Sequence, residues 1–347
     1  MIHGGDIYRN KVNIDLSVSI NPMGMPETVK NALVSSVEMA EHYPDMRCEA
    51  LGRKLSQVMG VMPDHIVFGN GASELITAVV SACRPETAVL PVPSFGGYER
   101  ALVNFGCKVR KVVLQEENGF LPDNELLREL EAGPDMLVIA NPNNPTGRYV
   151  PRAFLEKILD VCEEKAITVL LDECFMELST DPENNSCIRD TDRWSRLIIL
   201  RSFTKTFAIP AVRLGYAVCG DARIMDQIRK QLPEWNVSLA AQMAGEAALD
   251  ETGYVDESRG LILKEREFLA DSLKEQGFKL ITSDTNYLLF CAEDCPGLYD
   301  RLLERGILIR DCQSFSGLDG NWYRTAVRTH GENVAFIQAI ENIRKTQ

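Results

Sequence analysis

Leu197-Ile198-Ile199-Leu200-Arg201-Ser202-Phe203-Thr204-Lys205, with Arg213 eight positions beyond the lysine, is the stretch on which the fold turns. Four apolar residues without polar alternation suit a strand buried on both faces of a sheet. Lys205 follows it at once, in a polar frame of Ser202 and Thr204.

Upstream lie three further elements in fixed order: Gly69-Asn70-Gly71-Ala72-Ser73-Glu74, Asn141-Pro142-Asn143-Asn144-Pro145-Thr146-Gly147 and Leu171-Asp172-Glu173. Short apolar runs at 66–68, 88–90, 136–140 and 167–171 read as more buried strands. Helical patterns at 73–82, 98–104, 124–131 and 152–163 fall between them, so strand and helix alternate and an α/β sandwich with a largely parallel sheet is expected. After about residue 245 the pattern becomes a long helix (254–276), an apolar run (287–290), then helix, strand, strand and terminal helix. A large unit over 45–245 and a small α+β unit over 246–347 follow, with an N-terminal arm and helix (1–44, helix 27–39) joining the small one.

With 347 residues, 45% of them hydrophobic, the chain exceeds the size at which one core usually divides. The net charge of −13 excludes the global basic footprint that nucleic-acid binding needs. Ten cysteines without a CxxC pair read as reduced, mostly buried thiols. The first residues form neither a basic leader nor an apolar core, and no apolar run approaches membrane-spanning length. A cytoplasmic protein with neither membrane nor nucleic-acid partner is expected, and no metal site.

Taken together, the four elements suit pyridoxal 5'-phosphate (PLP), whose chemistry needs an amine for a Schiff base, an acid at the ring nitrogen and a phosphate anchor. Lys205 supplies the amine. Asp172 ends an apolar run, so its carboxylate emerges at a strand C-terminus, where open α/β sheets hold ligands; capping a turn is its ordinary alternative. The N–H groups of Ala72 and Ser73, at a helix start, would meet the phosphate, with Ser202 and Arg213 completing the grip; a structural salt bridge is the other role open to Arg213. Asn144 would donate to the phenolic oxygen and Phe95 would stack on the ring, unless they are a turn asparagine and a core aromatic.

In spacing and order the chain resembles the class I/II aminotransferase family of fold-type-I PLP enzymes over essentially its whole length. That resemblance implies a mostly parallel seven-stranded sheet beside a small α+β domain, and it implies catalytic roles for Lys205, Asp172 and Asn144 and a phosphate role for Arg213. It also implies a homodimer with shared active sites, since Tyr43 in His42-Tyr43-Pro44-Asp45 matches a tyrosine that reaches the partner's cofactor phosphate.

Within the family the nearest looks are histidinol-phosphate aminotransferases and L-threonine O-3-phosphate decarboxylases of cobalamin synthesis. His3-Gly4-Gly5, the segment 19–24 containing Asn21, Ile309-Arg310-Asp311-Cys312 and Tyr323-Arg324-Thr325-Ala326-Val327-Arg328-Thr329 favour the decarboxylases. Aligned on the family, Arg324 clamps the substrate α-carboxylate, while His3, Arg310 and Arg328 remain as cations for a second anion such as a phosphate; Asn21 joins the substrate side. The expected activity is therefore on a phosphorylated amino acid or amine, whose own amine displaces Lys205: decarboxylation of threonine phosphate, or transamination of a histidinol-phosphate or phosphonate-amine type. Two departures mark the chain: Phe175 stands where many relatives carry a tyrosine, and Ser19 where decarboxylase relatives commonly carry asparagine.

Overall fold

A computed structural model of the chain describes residues 4–345. Its centre is a seven-stranded sheet in the order Ile66–Gly69, Gly215–Val218, Leu197–Ser202, Thr168–Asp172, Met136–Ala140, Thr87–Val92 and Lys108–Val113. Gly215–Val218 runs antiparallel to both neighbours, and the other strands run together. The sheet is buried from both sides: Leu197 and Ile199 join one apolar core, Ile198 and Leu200 the other, and all four are 0–1% exposed. Each such side chain stabilises the fold by roughly 1.5–3 kcal/mol relative to leaving it in water.

Helices Ala72–Cys83, Gly96–Asn104, Asn124–Glu131 and Arg152–Glu164 occur where the sequence patterns put them. Asp123 starts one of them by accepting from the Glu125 N–H at 2.8 Å, and Gly133 at φ 68° follows its end. Strands Lys108–Val113 and Gly215–Val218, and helices Glu49–Met59, Ala222–Arg229 and Leu239–Ala248, are additions to the sequence reading.

A four-stranded antiparallel sheet (Arg310–Asp311, Trp322–Ala326, Tyr287–Cys291, Lys279–Leu280) forms the C-terminal part, packed under Tyr254–Glu275 and His330–Lys345. The N-terminal segment divides between the two sheets' surroundings. Ile14–Asp15 pairs in parallel with Ile307–Leu308, whereas helix Glu27–Ser36 packs on Leu239–Ala248. Among the described residues no helix is long and apolar enough to cross a membrane, and all ten cysteines are unpaired.

Candidate active site

Because the strands share a direction, their C-terminal ends meet along one edge. Asp172 and Ser202 finish two of them, Phe95 and Asn144 follow two more, and Ala72 opens the helix after Ile66–Gly69. Arg213 arrives from the antiparallel strand, just before its start at Gly215. These residues and Lys205 line one cavity of about 240 Å³, closed on its far side by Arg310 and Arg324 of the C-terminal sheet.

Its phosphate-sized corner depends on glycine. Gly71 (φ 79°) is the N-cap of helix Ala72–Cys83 and offers no side-chain cap, leaving the first helix N–H groups to other acceptors. A Cβ there would lie 2.6 Å from Nη2 of Arg213, so only glycine lets the guanidinium lie across the helix start. Gly215 is needed for the same approach, since its Cβ would lie 2.7 Å from the Ala72 nitrogen. Arg213 itself sits at φ 62° and donates to the Pro210 carbonyl at 3.2 Å.

Lys205 is partly buried, with Nζ 5.7 Å from the Phe175 ring centroid. Burial first, then the charges of Arg324 and Arg213, pull its amine down to about 8, while Cys174 and Asp172 act in the opposite direction. Relative to an ordinary lysine, that raises the neutral, nucleophilic fraction near pH 7 by roughly two orders of magnitude. The peptide around it is held by Asn21, whose N–H donates to the Lys205 carbonyl at 3.0 Å.

Asp172 accepts from two donors, the Tyr98 hydroxyl at 2.5 Å on Oδ2 and the Cys174 N–H at 2.8 Å on Oδ1. Burial and the Asp172 charge push the Tyr98 phenol well above its ordinary value, so it stays a donor at any physiological pH. Tyr98 also takes the Phe95 ring edge-on at 5.4 Å. Sequence reasoning missed it; the available signal was its position three residues after Phe95, one helical turn along the chain.

Two arginines face each other in the C-terminal sheet, Arg310 opposite Arg324 in register, 6% and 7% exposed. Arg324 donates to Asn144 Oδ1 at 2.5 Å and to the Ser17 carbonyl at 2.9 Å, and its guanidinium carbon lies 5.0 Å from the Tyr287 ring centroid. Its buried Nε has no partner, and among the described residues no carboxylate lies within ion-pair distance of it. Arg310 donates to Ser314 Oγ at 2.9 Å and lies 5.2 Å from the Phe315 ring. Burial opposes both charges, and Arg324 adds to the effect at Arg310. Two desolvated guanidiniums lining one cavity, Arg324 without a carboxylate partner among the described residues, suit anions.

Two expected site residues stand outside the cavity. Asn21 is buried, but its amide donates to the Thr206 carbonyl (2.8 Å) and Ser258 Oγ (2.6 Å), so it braces the lysine segment instead of facing the cavity. Arg328 is turned to Glu332 at 3.3 Å and does not line the cavity, because the helix starting at His330 brings that carboxylate within reach. Tyr43 is 80% exposed, packed on Trp235 at 4.8 Å and outside its own chain's cavity. His3 lies outside the described residues.

The remaining donor set fits PLP: a lysine of lowered basicity, a carboxylate held by two donors, an asparagine amide, and a phosphate corner that a Cβ would fill. Among the described residues no side-chain cluster is suited to a metal ion. The model of the aminotransferase class I and II family matches residues 11–340. Similar relatives include the threonine-phosphate decarboxylase of Salmonella typhimurium, 35% identical over 95% of this chain and 91% of that protein. Histidinol-phosphate aminotransferase 2 of Archaeoglobus fulgidus is 31% identical over 97% of this chain and 94% of its own. The crystal structure of the histidinol-phosphate aminotransferase from Clostridium acetobutylicum matches with a TM-score of 0.90 at 31% identity, covering 96% of this chain and 100% of that one. On this evidence the chain is a PLP-dependent enzyme and belongs to the aminotransferase class I and II family.

Proposed function

We propose that the enzyme decarboxylates a phosphorylated amino acid, with O-phospho-L-threonine as the first candidate. The observation that carries this reading is the register pair Arg310 and Arg324, two buried guanidiniums opening into the cavity of Lys205. One suits an α-carboxylate and the other a second anion such as a phosphate. The 35% identical threonine-phosphate decarboxylase supports the choice of substrate.

Bound PLP supplies the electron sink for the bond broken at the substrate's Cα. Ser202, Arg213 and the N–H groups of Ala72 and Ser73 would hold its phosphate, Phe95 would cover its ring, Asp172 would keep the ring nitrogen protonated and Asn144 would donate to its phenolic oxygen. Tyr98 and the Cys174 N–H each donate to the Asp172 carboxylate and so fix its place for that task. Arg324 and Arg310 fix the turn of the substrate about its Cα–N bond, and that turn selects whether the carboxylate or the α-proton leaves. Lys205 returns or removes the proton at Cα.

Transamination of a phosphate-bearing amine is the second reading, favoured by the likeness to the Clostridium histidinol-phosphate aminotransferase. The family is generally dimeric, and the exposed Tyr43 suits a homodimer in which it reaches the other subunit's cofactor phosphate. PLP-loaded protein given O-phospho-L-threonine should release CO2 and keep its absorption spectrum. Given L-glutamate, it should not pass to the pyridoxamine form; that conversion, without CO2 from the phosphoamino acid, would establish the second reading.

A further inference from the structure

Directly behind the cavity lies a buried charge network that the reaction does not touch. Arg201 is 3% exposed and Glu173 0%. Arg201 donates through Nε and Nη2 to Glu173 Oε2 at 3.0 and 2.7 Å, and through Nη1 to Glu177 Oε1 at 2.8 Å. Glu173 Oε1 also accepts from the Cys187 N–H at 2.7 Å, and Glu177 Oε2 from the Thr206 hydroxyl at 3.0 Å. Burial opposes the charge on Arg201, but Glu177 and Glu173 outweigh it and keep the guanidinium protonated.

The members' chain neighbours are the informative feature. Glu173 follows Asp172, Arg201 precedes Ser202, and Thr206 follows Lys205. Successive strand residues point to opposite faces, so Ser202 reaches the cavity because Arg201 is turned away from it. A buried ion cluster of this kind is a poor source of net stability, since apolar residues of the same volume often stabilise a fold as well or better. What it fixes is geometry, because a planar guanidinium satisfied on both sides by carboxylates tolerates little displacement.

We propose that Arg201, Glu173, Glu177 and Thr206 form a positioning network that sets Lys205, Asp172 and Ser202 in their mutual arrangement for PLP. On the other side of the lysine peptide, Asn21 holds the Lys205 and Thr206 carbonyls, so the segment is gripped from two directions. The inference rests on the reading of the cavity as a PLP centre on Lys205.

Thr206→Val, which keeps shape and loses only the hydroxyl, is the first test, with Thr206→Ser as the conservative restoration and Glu177→Gln as a second probe. The readouts are the PLP dissociation constant, the pH midpoint of the bound cofactor's visible band and the urea midpoint of unfolding. Thr206→Val and Glu177→Gln should each weaken PLP binding about fivefold or more and move the pH midpoint, and Thr206→Ser should restore both. If both variants lower only the urea midpoint, leaving affinity and pH midpoint as in the wild type, the network is structural and the proposal is overturned. Wild-type protein that takes up no PLP would instead overturn the PLP reading and this inference with it.

Discussion

Arg324 and Asn144, 180 positions apart in sequence, are joined by a 2.5 Å hydrogen bond from Nη1 to Oδ1. The bond spends the oxygen of the asparagine amide and leaves its N–H₂ as the donor for the cavity. One guanidinium thus links the substrate-facing sheet to the loop expected to touch the cofactor. Arg324→Lys replaces the planar fork with a point charge that cannot serve Asn144 and a carboxylate together. It should lower kcat/KM by about 100-fold, the loss of a charge-assisted pair, while PLP affinity changes only a few-fold. Steady-state kinetics beside a cofactor titration test this, and an unchanged kcat/KM would remove Arg324 from substrate binding.

Tyr98→Phe removes one of the two donors on Asp172. A hydrogen bond to a charged acceptor contributes roughly 1.5–3 kcal/mol, so PLP affinity should fall about tenfold or more. The ring remains to pack on Phe95, and the melting temperature of the cofactor-free protein should change little. Equilibrium dialysis and calorimetry measure the two effects separately.

Lys205 gives a pH dependence of definite sign. Its amine is held down at about 8 in the folded protein, against an ordinary value of 10.5. Below pH 8 both folded and unfolded chains carry the proton, and the folded state bears the full cost of a buried charge. Between about 8 and 10.5 the folded chain has lost the proton while the unfolded chain keeps it, so that cost disappears as pH rises. Cofactor-free Lys205→Met should therefore be more stable than wild type near pH 7, by an amount of order 2–3 kcal/mol, and the advantage should fade by pH 10.5. Urea unfolding across that range tests it; an advantage that stays constant with pH would contradict the lowered amine.

Arg310 and Arg328 should separate cleanly. Arg310→Gln is expected to cut the preference for O-phospho-L-threonine over L-threonine by about 100-fold, the value of a lost charged hydrogen-bond pair. Arg328→Gln breaks only a pair with Glu332 outside the cavity and should change kcat/KM less than about twofold. Comparing the two substrates in both variants decides the matter.

Strand runs buried on both faces were legible because nothing polar interrupts them. Lys108–Val113 escaped notice because it is an edge strand with a wet face: Lys108 and Lys111 are solvent-exposed and its apolar residues are spaced by charge, whereas Ile66–Gly69 at the other edge is buried throughout. Gly215–Val218 is short and opens on glycine, a weak strand signal that the sheet overrides by pairing it on both sides. That Lys205, Asp172, Asn144, Ser202 and Arg213 gather in one cavity was readable because the first four lie at or just after strand ends and Arg213 just before the start of the antiparallel strand, in a fixed order. Tyr98, Asn21 and Arg328 were not, since the partner that decides each lies far along the chain or on the next helix: Asp172, Ser258 and Glu332.

Lys205, which lines this cavity, is the residue proposed to carry the cofactor. Borohydride reduction of the PLP-loaded protein, followed by proteolysis and mass spectrometry, tests it most directly. One pyridoxyl adduct is expected, on the peptide containing Lys205, and none in Lys205→Met; an adduct on another lysine, or an unmodified Lys205 in fully loaded protein, would overturn the assignment.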